Sequence, residues 1–175
     1  MCIRDRLRRH AYSEIKRPLI VMTPKSLLRL PQAASRTEEL TDGGFHPIIA
    51  EDFGSSQKSA IFLSGKVCYD VKNQLEKKGK LKSVSLIRLE QLYPFSHELL
   101  SNLWTSHSFE KAIWVQEEPK NMGAWSYVSE QFREKLGISL KYVGREPSAS
   151  TAAGSSKMHA KELNLMMSSL LSFLG

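Results

Sequence analysis

Apolar and polar positions along this chain switch between two periods, and the switches mark its elements. Ala112–Val115 is a short apolar run of strand length. It turns acidic at Glu117-Glu118 and meets Pro119, which cannot donate to a sheet ladder and should end the strand. Asn121 and Gly123 supply turn chemistry. From Ala124 the period becomes helical. Trp125, Val128, Phe132 and Leu136 fall three and four apart, and Gly137 is placed to stop the helix. A strand, a polar loop and a helix N-terminus in that order form the usual site-building unit of an α/β domain. Glu117 and Glu118 either solvate that loop or accept its backbone N–H groups, which could otherwise hold an anion.

The same alternation covers the second part of the chain. Ile48–Ala50 is a short strand candidate, and Asp52–Ser59 a polar loop. Ala60–Leu63 is the next strand, followed by Ser64-Gly65-Lys66 and a helix with Val67, Val71 and Leu75 on one face, closed by Gly79. Val84–Leu89 is a strand; Pro94 and Ser96 introduce a helix through Leu99, Leu100 and Leu103. Ser139–Val143 is a further strand, residues 145–157 a long loop of small residues, and Met158–Leu174 a closing helix. Strands alternating with amphipathic helices predict a three-layer α/β sandwich, with a mostly parallel sheet of about five strands and helices on both faces.

The front of the chain reads differently. Residues 1–16 are charged and poorly periodic. Pro18–Met22 reads as a buried strand, with Thr23 as a cap and Pro24 opening one or two helical turns over Lys25–Arg29, ended by Pro31. Residues 32–47 are polar and irregular, a linker or an exposed crossing loop. The expected organisation is an N-terminal arm and end of a preceding domain over residues 1–46, and an α/β domain over residues 47–175.

Composition excludes several classes. The 41% hydrophobic and 25% charged content is that of a globular protein. No apolar run approaches the roughly 18 residues of a membrane span, and the basic N-terminus lacks the apolar stretch of a secretory signal. Cys2 and Cys68 are too few for a disulfide framework and point to a reducing compartment. The formal charge of +7 sits wholly in residues 1–36, where nine Lys or Arg face Asp5 and Glu14; residues 37–175 carry 16 of each sign. A nucleic-acid-binding domain would carry its basic face on the folded body, so nucleic acid is not the expected partner.

Three stretches carry candidate binding chemistry. Ser64-Gly65-Lys66, between a strand and a helix, is either a small phosphate cradle or an ordinary tight turn. Arg88 near the end of its strand either grips a phosphate or carboxylate or pairs with Glu90. Arg145, Ser148, Ser150, Ser155, Ser156, Lys157 and His159 form a polar, basic loop that either approaches an anion or simply connects. The five histidines show no metal-ligand spacing, and no catalytic or metal-binding set assembles.

Taken in order, RPLIVMTPKSLLR (17–29), LSGKVCYD (63–70), LIRLEQLYPF (86–95), WVQEEPKNMGAW (114–125) and YVGREPSASTAAGSSKMHAKE (142–162) resemble the C-terminal region of the thiamine-diphosphate-dependent component of the 2-oxoglutarate dehydrogenase complex. The resemblance implies the last domain of a large, transketolase-like homodimeric enzyme. That enzyme decarboxylates 2-oxoglutarate and passes succinyl to the lipoyl group of an acyltransferase, with a dihydrolipoyl dehydrogenase completing the complex. It implies that thiamine diphosphate and Mg²⁺ are held by earlier domains, and that this domain helps assemble the dimer and is inactive alone. It further implies an allosteric site for acetyl-coenzyme A or AMP, for which Ser64, Lys66, Arg88, Arg145 and Lys157 are the suited positions. The expected compartment is the bacterial cytoplasm, or the mitochondrial matrix in a eukaryote. The alternatives are a stand-alone regulatory α/β module and the same domain of a related 2-oxo acid decarboxylase.

Overall fold

The computed structural model describes residues 3–51 and 57–175. The chain divides into two units, Met1–Pro47 and Ile48–Gly175.

The first unit holds helix α1 (Ile3–Ala11), two 3₁₀ turns (Lys25–Arg29 and Pro31–Ala33) and the short helix α2 (Thr37–Thr41). Two expectations are corrected here. The charged opening is helical, because Asp5 in its first turn and Arg8, Arg9 and His10 in its last turn complement the helix dipole. The ring of Phe45 takes the Arg6 and Arg9 guanidinium carbons at 5.1 and 4.8 Å. Pro18–Met22 is neither a strand nor buried; Ile20 is 81% and Met22 89% exposed. An apolar run becomes a strand only beside a sheet edge, and the described residues of this unit contain none. Pro24, not Thr23, stands at the cap of the first 3₁₀ turn, without a side-chain bond. Residues 32–47 are less irregular than expected, since they contain α2.

The second unit is the three-layer sandwich. Strands β1 (Ile48–Glu51), β2 (Ser59–Leu63), β3 (Val84–Leu89), β4 (Lys111–Pro119) and β5 (Lys141–Arg145) form one sheet in the order β1-β3-β2-β4-β5. Strands β3, β2, β4 and β5 run parallel; β1 joins antiparallel at the edge, Ile48 facing Leu89. The loop expected over Asp52–Ser59 lies largely outside the described residues, and Ser59 already belongs to β2.

Helices α3 (Val67–Lys77) and α6 (Ser156–Leu174) cover one face, packing Val67, Val71, Leu75, Met166, Met167 and Leu170 on the sheet. Helices α4 (His97–Thr105) and α5 (Trp125–Gln131) cover the other, against Phe62, Ile87 and Trp114. Strands β2 and β3 are therefore covered on both faces, which is why Ala60–Leu63 reads as a continuous apolar run and β3 is interrupted only by Ser85 and Arg88. Helix α5 continues into a π-helical turn, Phe132–Leu136, before Gly137. Strand β5 begins at Lys141 and α6 at Ser156, each two residues from the expected start. Ser155 sets the latter as an N-cap, its hydroxyl oxygen accepting from Met158 N–H at 3.2 Å. Among the described residues no helix is long and apolar enough to cross a membrane.

Candidate functional site

All four parallel strands end on the same edge of the sheet. From β2 the chain turns toward β3 through α3; from the neighbouring β4 it turns the other way, toward β5 through α5. The crevice between such diverging strands is where open α/β sheets collect ligands.

Lys66 stands at this point, on the turn after β2 and directly before α3. Its Nζ lies 2.6 Å from Asp70 Oδ2, one turn along the helix, and 3.4 Å from Glu117 Oε2 at the end of β4. Burial works to lower the Lys66 pKa, but the two carboxylates outweigh it and hold the ammonium charged. Ser64 is half-buried on the same turn. One strand over, Arg88 lies opposite Leu63. Its Nη1 is 3.5 Å from Glu90 Oε1 and 3.4 Å from Tyr69 Oη, with the guanidinium over the Tyr69 ring. Cys68, in the first turn of α3, is buried, and burial pushes its thiol up to about 12, so it is no nucleophile.

On the other side, Arg145 closes β5. Its Nη2 donates to Glu162 Oε1 at 3.3 Å and its Nη1 to the Thr151 carbonyl at 3.3 Å. Its Nε sits 2.8 Å from Glu162 Oε2 but is not aligned for a hydrogen bond. Lys157 is exposed in the first turn of α6. Arg88, Lys66 and Arg145 thus line one edge, on β3, after β2 and on β5. Strands lie about 4.8 Å apart, so β3 and β5, three positions apart in the sheet, are separated by about 14 Å. No single phosphate spans Arg88 and Arg145; a ligand that used both would be extended. Each of the three cations is matched by a carboxylate of the same domain.

The polar loop after β4 is built by a residue that sequence reasoning passed over. Gln116 is 3% exposed. Its Oε1 accepts from Trp114 Nε1 at 2.9 Å and from Trp125 N–H at 3.0 Å. Its Nε2 donates to the carbonyls of Met122 (2.8 Å), Pro119 (3.1 Å) and Glu118 (3.3 Å). One amide therefore ties the strand, the turn and the start of α5 together. Gly123 closes the turn at φ +67, and a Cβ there would come within 3.1 Å of the Gln116 amide atoms. Asn121 then reaches the loop after β5: its Nδ2 donates to the Ser148 carbonyl at 3.1 Å, and its Oδ1 accepts from Ser148 N–H at 3.0 Å. The signal in the sequence was a lone amide between a tryptophan and two acids, which reads equally well as the start of a solvated loop. Glu162 and Asp70 were also missed, although Asp70 stands four residues from Lys66.

Along this edge Lys66, Arg88 and Arg145 are each already paired with a carboxylate. Among the described residues no group of three or more His, Cys, Asp or Glu is placed to hold a metal ion.

Residues 34–171 match the family model described as 2-oxoglutarate dehydrogenase C-terminal. The chain is similar to the 2-oxoglutarate dehydrogenase E1 component of Geobacillus sp. (strain WCH70), 42% identical over 83% of this chain and 16% of that protein. It is 42% identical to the protein of the same name from Rickettsia felis, over 94% of this chain and 18% of the relative. A mitochondrial 2-oxoglutarate dehydrogenase of Caenorhabditis elegans is 39% identical over 93% of this chain and 17% of the relative. The chain spans roughly a sixth of the length of the curated relatives it matches.

Proposed function

Because this chain belongs to the 2-oxoglutarate dehydrogenase C-terminal family, we propose that it is the closing α/β domain of an enzyme that decarboxylates 2-oxoglutarate with thiamine diphosphate and transfers succinyl to the lipoyl group of a partner acyltransferase. The observation that carries this reading is the family match over residues 34–171, joined to relatives about six times longer that bear the dehydrogenase name. In this reading thiamine diphosphate and Mg²⁺ are held by earlier domains of a homodimer, and no chemical step is assigned to residues of this chain. A dihydrolipoyl dehydrogenase completes the complex, in the cytoplasm of a bacterium or the matrix of a mitochondrion. Residues 1–46 belong with the preceding domain, which the exposed apolar segment Leu19–Met22 supports.

The purified 175-residue chain, given 2-oxoglutarate, thiamine diphosphate and Mg²⁺, is expected to show no turnover above buffer. Fused in place of the corresponding region of the Rickettsia felis relative, it is expected to sustain turnover. Measurable decarboxylation by the chain alone would overturn the assignment of the chemistry to other domains.

The domain's own task in this reading is assembly of the dimer and binding of a phosphate-bearing effector, acetyl-coenzyme A or AMP, along the edge formed by Ser64, Lys66, Arg88, Arg145 and Lys157. Arginine is the principal contact because its planar fork grips phosphate bidentately. Arg88→Ala and Arg145→Ala are each expected to weaken binding of acetyl-coenzyme A, an extended ligand with several phosphates, about 10- to 150-fold, the effect of one charge-assisted hydrogen bond. Calorimetric titration of both variants, with circular dichroism to show that each is folded, checks it. Unchanged affinity in both would remove the site.

A further inference from the structure

The charges at the carboxyl edge are already balanced, which poses a problem for any anion that is to bind there. Lys66 has two carboxylates, and they are held differently. Asp70 is four residues from Lys66, 2.6 Å away and one turn along the same helix. Glu117 is 3.4 Å away and 37% exposed. It lies inside the register break of β4, between Val115 and Pro119, where the ladder with β5 is interrupted. The backbone around it is fixed by the Gln116 amide, bonded to the carbonyls of Glu118, Pro119 and Met122. The Glu117 side chain can therefore turn into solvent by a rotamer change alone, with the loop left in place.

We propose that Glu117 is a built-in competitor for the anion position at Lys66, an autoinhibitory latch that an incoming phosphate group must displace. The inference rests on the effector reading of this edge. A dianionic phosphate that approached Lys66 with both carboxylates in place would meet net negative charge. With Glu117 swung away, Asp70 only neutralises Lys66, and the remaining ammonium donors and the start of α3 are left for the phosphate without a net opposing charge. The latch also sets a threshold: ligands with a single weak negative charge gain little by displacing a carboxylate, whereas phosphate exchanges one anion for a stronger one.

The test is calorimetric titration of AMP, with adenosine as the control that lacks phosphate, into the whole chain and into Glu117→Gln, Lys66→Met and the double variant. Glu117→Gln is expected to tighten AMP about two- to fivefold, the yield of removing one partly exposed competing ion pair, and to leave adenosine unchanged. Lys66→Met is expected to abolish the gain, so that adding Glu117→Gln changes nothing in that background. An ion pair that serves structure alone gives the opposite pattern: Glu117→Gln lowers the unfolding midpoint and leaves or weakens AMP affinity, which overturns the latch while the site stands. AMP that binds neither the wild type nor Glu117→Gln overturns the latch and the effector site together.

Discussion

Gln116→Leu is expected to destabilise the domain by about 2–4 kcal/mol, one buried donor at about 1–3 kcal/mol and one half-buried donor at the low end of that range. Leucine nearly matches the volume of glutamine but removes all five hydrogen bonds of the amide. Trp114 Nε1, on a side chain only 1% exposed, and Trp125 N–H lose their acceptor. Three carbonyls in the turn lose their donor as well. Against a typical total stability of about 5–15 kcal/mol this is a large share, equivalent to roughly 10 °C in unfolding midpoint for a domain of this size. Gln116→Glu separates hydrogen bonding from shape. It keeps one acceptor for the two N–H groups but turns a second oxygen toward three carbonyl oxygens. Ionisation is disfavoured there, so the folded pKa of the introduced carboxyl lies above the unfolded value of about 4.3. The folded state then binds more protons. The variant is most stable below that unfolded value and loses stability as pH rises toward the folded one. Chemical unfolding followed by far-ultraviolet circular dichroism, at pH 4 and pH 8, reads both effects. A Gln116→Leu variant within about 0.5 kcal/mol of wild type, the range of ordinary surface substitutions, would show that the amide network is dispensable.

Why that network escaped a reading of the sequence, while the strand before it did not, is a matter of which interactions are local. Strands β2 and β3 are buried on both faces, so apolar residues dominate their runs, interrupted only by Ser59, Ser85 and Arg88, and they stand out. Pro18–Met22 has the same signature and is no strand here, because strand formation depends on an edge the segment cannot supply itself. The cations at the carboxyl edge were legible for a similar reason: each sits at a strand end, where the α/β pattern predicts binding loops. Their partners were not. Lys66 meets Glu117 only because β2 and β4 are neighbours in the order β1-β3-β2-β4-β5, and Arg145 meets Glu162 only because α6 returns over β5. Both are consequences of topology that periodicity along the chain does not encode. The helical opening was missed in the opposite way: its charges matched to the helix dipole are local, but its apolar positions, Ile3, Leu7 and Ala11, are too sparse in a charged stretch to stand out.

Gly144 is the second position where a small change should have a large consequence. It lies in β5, and its backbone φ is not in the left-handed region, so glycine is not required there for conformation. What it provides is space. A Cβ at residue 144 would sit 2.7 Å from Tyr142 Cζ and 2.8 Å from the Gln116 backbone carbonyl oxygen, and would also run into the Tyr142 hydroxyl. The ring cannot simply turn aside. It packs on Trp125 at a centroid distance of 5.0 Å, and its hydroxyl donates to the Arg145 carbonyl at 2.8 Å. Burial of that ring is also what lifts the Tyr142 phenol to about 12. The carbonyl of Gln116 belongs to β4, inside the same turn-forming segment that the Gln116 amide anchors. Gly144→Ala is therefore expected to cost about 3 kcal/mol, the upper end of ordinary overpacking. A double-mutant cycle with Tyr142→Ala decides between the two obstacles. If the backbone carbonyl is the hard wall, more than about 1 kcal/mol of the cost persists after the ring is removed, whereas a clash with the ring alone would vanish, leaving a coupling energy equal to the whole effect. Equal unfolding midpoints for Tyr142→Ala and Tyr142→Ala/Gly144→Ala would show that β4 and β5 can part enough to admit a methyl group, and would remove the Gln116 carbonyl as an obstacle.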